Sequence, residues 1–144
     1  MRNSVRLVAF MCVAVAAAAP ALAAQGREVS GRSTATLSPA VKVGSLVFAS
    51  GQLPARGDST IEAQTTSALN NVKTALEGAG TSINNAVKCT VFLVNLADFQ
   101  GMNSAYSKFW SPENPPPARS TVVVAALVVP TAKLEIECIA AMPK

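Results

Sequence analysis

The chain has 144 residues, half of them hydrophobic and 14% charged, with a formal net charge of +4 at pH 7. That length holds one domain with a proper core and is too short for two. The basic residues are scattered singly and never interleave with aromatics, which argues against the footprint of a nucleic-acid binder. There is no histidine and there are only three cysteines, which leaves no ordinary zinc ligand set and removes Ser-His-Asp and Cys-His catalysis. Chemistry here falls to carboxylates, arginine, hydroxyls, amides and backbone groups.

The N-terminus reads as a secretory signal peptide over residues 1–23. Arg2 and Arg6 form a basic head, Leu7 to Ala19 is an apolar run, and Ala21-Leu22-Ala23 is a small-x-small cleavage site. The run is too short for a permanent bilayer span, and no other segment approaches the ~20 apolar residues that a span needs. Cys12 follows Ala9-Phe10-Met11, not the small residues of a lipid-attachment site, and there is no twin-arginine pair. The expectation is Sec-type export, in the simplest case to a bacterial periplasm, of a protein beginning near Ala24. Loss of Arg2 and Arg6 takes the formal charge from +4 to +2.

Residues 24–37 are polar and small without periodicity and read as a flexible start, followed by one domain over residues 38–144. Val41, Val43, Leu46, Val47 and Phe48 around Gly44 read as two strand pieces joined by a turn. Between Thr60 and Gly80, Ile61, Ala68, Val72, Ala75, Leu76 and Ala79 recur at helical spacing, with Gly78 and Gly80 marking the stop. From Ala86 to Leu96, Val87, Cys89, Val91 and Leu93 alternate with Lys88, Thr90 and Phe92, a strand pattern. From Ala97 to Trp110, Phe99, Met102, Tyr106, Phe109 and Trp110 fall three or four apart, a second helix with Asp98 as its expected N-cap. Three prolines at 115–117 then enforce an extended approach, and a strand is expected from Ser120 to about Leu127. In the last strand, Leu134, Ile136, Cys138 and Ala140 alternate with Glu135, Glu137 and Ile139.

This order implies an α+β fold, a mixed β-sheet with both helices packed on one face. The other face, carrying Phe92 and Ile139 beside Thr90 and the two glutamates, has nothing in the chain to cover it, so an oligomer follows as an expectation. Cys89 and Cys138 lie inside strands; two readings stay open for them, small buried hydrophobes or a disulfide in an oxidising compartment. Read locally, Arg119 is a strand-end charge reaching water.

Taken with Glu135, Arg119 reads differently. The stretch "PARSTVVVAALVVPTAKLEI" resembles the signature of the RidA family, also called YjgF or L-PSP endoribonuclease-like. Pro117-Ala118-Arg119-Ser120, Val122, Ala125, Leu127 and Leu134-Glu135-Ile136 satisfy its positions. "LVFASGQLP", "ALNNVKTALEGAG" and "VKCTVFLVNLADFQGMNSAY" are similar to the family in order and spacing, and the resemblance covers about Ser38 to Met142.

The resemblance implies a chorismate-mutase-like unit assembled as a homotrimer with clefts between subunits. It implies hydrolysis of 2-imino or 2-enamino acids to 2-keto acids and ammonia, with no metal or organic cofactor. It assigns Arg119 to the substrate carboxylate, for which a guanidinium is the best planar two-pronged partner, and Glu135 to activating water. Ser50 and Gly51 match pocket-lining positions and Asn103 matches an amide of the second helix. Glu137 matches no catalytic position and reads as structural, and Tyr106 reads as packing. Cys89 and Cys138 share the core-facing parity of strands that the family fold makes neighbours.

Three positions depart from the family pattern. Leu37 stands where deaminase members carry a tyrosine and Pro39 where they carry a glutamine, so a pocket hydroxyl and a stacking surface are missing; Thr121 replaces a cysteine of some members. The departures open a second reading, a non-catalytic protein holding small carboxylates in the same cleft. An endoribonuclease, the third, is disfavoured by the weak charge and missing histidine.

Overall fold

The computed structural model describes residues 26–143, so the signal-peptide expectation over residues 1–23 lies outside the described residues. Six strands form one sheet: β1 (Arg27–Ser30), β2 (Ala40–Val43), β3 (Leu46–Gln52), β4 (Ala86–Leu93), β5 (Ala118–Val123) and β6 (Leu134–Ala141). Their spatial order is β1-β2-β3-β6-β4-β5. The helices are α1 (Ile61–Gly78) and α2 (Phe99–Tyr106). Among the described residues no helix is long and apolar enough to cross a membrane.

β2 and β3 form the expected hairpin. Val43 faces Leu46, and Gly44 takes φ +59° to start the two-residue turn, a conformation that a side chain would resist. One strand was not expected: Arg27–Ser30, inside the segment read as a flexible start, pairs antiparallel with β2 from Arg27↔Val43 to Ser30↔Ala40. Its polar, exposed sequence hides it from periodicity because it is an edge strand held by backbone bonds.

α1 begins at a side-chain cap. The Thr60 hydroxyl accepts from the Ala63 amide at 3.2 Å, satisfying one of the free amides of the first turn. Ile61, Thr65, Ala68, Leu69, Val72 and Leu76 form its buried stripe. Gln64, also buried, donates to the carbonyls of Asp58 and Thr131 and accepts from the Lys133 amide, tying the loop before α1 to the loop before β6.

The second helix is shorter than its aromatic spacing suggests: a 3-10 turn at Leu96–Asp98, α2 proper, then a second 3-10 turn at Ser107–Phe109. Asp98 makes no side-chain cap; its carboxylate instead meets Lys133 Nζ at 3.4 Å, and Asn95 caps the preceding turn through the Ala97 amide.

Both helices pack on one face of the sheet, against a single core containing Val47, Leu69, Val72, Leu76, Val91, Leu93, Met102, Leu134 and Ile136. Each fully buried Leu or Ile contributes roughly 1.5–3 kcal/mol, so this face carries most of the folding energy. The alternation read for β6 holds along its whole length. That of β4 holds from Cys89 onward, but Val87 is 47% exposed because the pairing with β6 slips between Ala86 and Lys88, and a bulge turns the extra residue out.

Cys89 and Cys138 face each other across β4 and β6 with Cα atoms 4.1 Å apart and are joined as a disulfide. Of the two readings open for these cysteines, the structure takes the bridge. β5 ends at Val123, earlier than Leu127: the Val124 amide still bonds the Leu93 carbonyl, but β4 stops there and no further strand edge remains to pair with.

Candidate functional site

β5 runs parallel to β4 with Arg119 opposite Cys89, so Arg119 shares the helix-covered side of the sheet with a fully buried residue. The prolines deliver the chain to this edge extended, and the next element met on that side is α2. One turn of α2 surrounds the guanidinium. Nη2 donates to Asn103 Oδ1 at 2.7 Å, Nη1 lies 3.8 Å from Met102 Sδ, and the guanidinium carbon sits 4.6 Å from the centre of the Tyr106 ring. No carboxylate pairs with Arg119 among the described residues. A half-buried guanidinium with five donors and one strong acceptor has an edge left over, which suits an external carboxylate.

Tyr106 is 4% exposed. Burial pushes its phenol up to about 12, with the Arg119 charge pulling the other way. Its hydroxyl, the Trp110 indole N–H and the Thr121 hydroxyl are all buried without a partner, and the Tyr106 and Trp110 rings touch at 5.5 Å between centres. The reading of Tyr106 as packing is therefore incomplete: the ring fills core, and its face carries the arginine. The signal was present in the sequence, since Asn103 and Tyr106 are three apart on one helix and share a face.

Glu135 belongs to the opposite side. It pairs with Phe92, between the buried Leu134 and Ile136, so its side chain rises from the face the helices leave open. β3 bulges between Ala49 and Gln52, which brings Gly51 under the Glu135 carboxylate; a Cβ at residue 51 would run into Glu135 Oε1. Glycine is needed there for close approach.

Ser50, in the same bulge, spends its hydroxyl proton on the Ser38 carbonyl at 2.7 Å, and its amide bonds the Pro39 carbonyl. This pins the segment bearing Leu37, itself 55% exposed, against the strand. Glu137 rises beside Thr90 on the open face and enters none of the ion pairs found among the described residues.

The predicted site residues thus fall into two groups within one protomer. Arg119 and Asn103 meet on the covered side; Ser50, Gly51 and Glu135 meet on the open side; the sheet separates them. The open side also presents Leu46, Phe48 and Val122, each more than a third exposed. A roomy concavity of about 670 Å³ lies elsewhere, lined by Arg56, Asp58, Gln64 and Lys133 among others. It includes none of the five site residues, and its buried amide, Gln64, is fully used in holding loops.

The comparisons with known proteins give the family and the fold. Residues 29–142 match the model of the family described as endoribonuclease L-PSP. Reactive Intermediate Deaminase A, a chloroplastic protein of Arabidopsis thaliana, is 42% identical over 111 residues, 73% of this chain and 58% of that protein. A RutC family protein of Haemophilus influenzae is 44% identical over 108 residues, 70% of this chain and 82% of its own length. Among solved structures, E. coli TdcF with bound serine superposes with a TM-score of 0.73 at 34% identity, covering 81% of this chain and 99% of that one. The α+β, chorismate-mutase-like mixed sheet with two helices on one face is the fold of these neighbours. With the match running over almost every described residue, the chain belongs to the endoribonuclease L-PSP family, also known as RidA or YjgF.

Proposed function

We propose that the protein hydrolyses 2-imino and 2-enamino acids to 2-keto acids and ammonia, with Arg119 anchoring the substrate carboxylate and Glu135 activating water. The observation that carries this reading is the state of Arg119. Its guanidinium is set on an aromatic ring, gripped by one amide and matched with no carboxylate of its own among the described residues. Serine in TdcF belongs to the same class of small α-carboxylates, and the Arabidopsis relative is named a deaminase.

In the reaction, an enamino acid first takes a proton at carbon to become the imine; water then adds to the imine carbon while Glu135 takes one of its protons and returns it to the nitrogen, giving a carbinolamine. The hydroxyl of the carbinolamine gives up the second water proton to the nitrogen as the C–N bond breaks, which releases ammonia and leaves the ketone. Gly51 leaves the space in which Glu135 sits, and Ser50 braces the bulge that holds both.

Because the sheet separates Arg119 from Glu135, the working site requires two copies of the chain. Arg119 and Asn103 of one subunit would face Ser50, Gly51 and Glu135 of the next, in the homotrimer that the family resemblance implies. The apolar residues of the open face supply the contact. The Cys89–Cys138 disulfide supports residence in an oxidising compartment, in keeping with export to a periplasm.

The test is release of keto acid and ammonia from 2-imino acids generated in situ, comparing wild type with Arg119→Ala. Loss of roughly 10²–10³-fold in kcat/KM is expected for removing a two-pronged charged anchor. Equal rates would sink the proposal.

A second reading is favoured by the exposed Leu37, which brings no hydroxyl to the Ser50–Glu135 side: a protein that binds small carboxylates without turning them over. Tight binding of keto acids with no ammonia release would select it. RNA cleavage that survives rigorous purification and disappears in Glu135→Ala would instead point to a ribonuclease.

A further inference from the structure

The mechanism above gives no role to Tyr106 itself, the ring on which Arg119 stacks. We propose that Tyr106 is a positioning residue whose buried ring is the platform that presents Arg119 to its ligand; the proposal rests on the carboxylate-anchor reading of Arg119. Met102, Asn103 and Tyr106 are successive contacts from one turn of α2, and all three reach the same guanidinium. Asn103 fixes one nitrogen in the guanidinium plane, and a single in-plane bond leaves the plane free to swing. A ring 4.6 Å away fixes the plane itself, through attraction between cation and π face in a site where water competes little.

An arginine side chain carries about 2 kcal/mol of rotamer entropy. A guanidinium already held at both its edge and its face has lost that freedom before the ligand arrives, so binding need not supply it. A filler of core volume would do as well with any large apolar side chain. Any such aliphatic filler, however, would leave the face of the guanidinium without the ring it now rests on. Tyr106 touches Arg119 and no reacting atom is assigned to it, so it acts through the arginine.

The test is calorimetric binding of 2-oxobutanoate, a simple keto acid, to wild type, Tyr106→Phe, Tyr106→Leu and Arg119→Ala. Tyr106→Leu keeps a bulky apolar side chain and loses the π face; its affinity should fall roughly 5- to 30-fold, the range for a desolvated cation–π contact, while Tyr106→Phe stays within about 3-fold of wild type. In turnover the Leu variant should raise KM with kcat little changed. Wild-type affinity in Tyr106→Leu, with binding lost in Arg119→Ala, overturns the platform and leaves the anchor standing. No binding by wild type overturns both.

If Tyr106→Leu does not fold, the ligand-free protein still decides the matter by nuclear magnetic resonance. The Arg119 Nε–H signal, identified by its absence in Arg119→Lys, should be shifted upfield by the ring current in wild type and Tyr106→Phe. An unshifted signal in both overturns the proposal.

Discussion

The two faces of the sheet are built in opposite ways. The covered face is finished within one chain: helices close it, a disulfide crosses it, and Arg119 at its edge is held by three residues of α2. The open face is unfinished, with Leu46, Phe48 and Val122 in solvent beside Glu135. A single protomer therefore holds Arg119 in place with residues of α2 and, on the far side of the sheet, a separate carboxylate in the niche that Gly51 leaves. The contrast teaches that, on the proposed reading, folding secures the binding half alone, while joining it to the other half is a matter of association.

The experiment with the largest expected effect tests that division directly. Arg119→Ala and Glu135→Ala should each be inactive. Mixed subunits, refolded together in equal amounts, should recover about a quarter of wild-type activity, because a site drawing Arg119 from one copy and Glu135 from another is intact in one pairing of four. Light scattering on the mixture checks that oligomers have formed. No recovery in mixed oligomers would mean that both groups must come from the same chain.

Next in size is the disulfide, which ties the covered face together on one rung of the sheet: Ala49, Cys138, Cys89 and Arg119 are neighbours across β3, β6, β4 and β5. With its ends 49 positions apart in sequence, the bridge should stabilise the chain by about 4 kcal/mol on loop-closure grounds. Denaturant unfolding of the Cys89→Ala/Cys138→Ala variant measures this. A loss below about 1 kcal/mol would show that the covered face is secured by packing alone.

The smallest effect concerns Tyr106, the only tyrosine in the chain, so phenolate absorbance reports on it alone. Its titration should centre near 12, against the ordinary value of about 10. The sign for stability follows from linkage. The folded state holds the proton more tightly than the unfolded state, so the contribution is complete below pH 10 and declines as pH rises from about 10 to 12. The melting temperature of wild type should fall more steeply over that window than that of Tyr106→Phe. Parallel curves would place the phenol in water and weaken the case for a desolvated stack.

Much of this was legible in the sequence because it rests on local rules. The stripe of α1 and the turn at Gly44 follow from neighbours in the chain. The two-residue alternation of β6 places Glu135 on the face away from the core before any partner strand is known. Arg119 and Glu135 stood out through a family resemblance carried by residue types at set distances.

Tertiary structure decided what depends on which strands meet. β5 and β6 are consecutive in the chain, yet β4 lies between them; neither composition nor periodicity encodes that insertion, which arises from burying all three against the same helices. The parallel register with β4 sends Arg119 toward α2 rather than into water, and the antiparallel register with β6 brings Cys89 to Cys138. The bulge that exposes Val87, the edge strand at Arg27–Ser30 and the ring beneath the guanidinium belong to the same category. Each is a relation between segments far apart in sequence, set by hydrogen-bond pairing and packing that no single segment specifies.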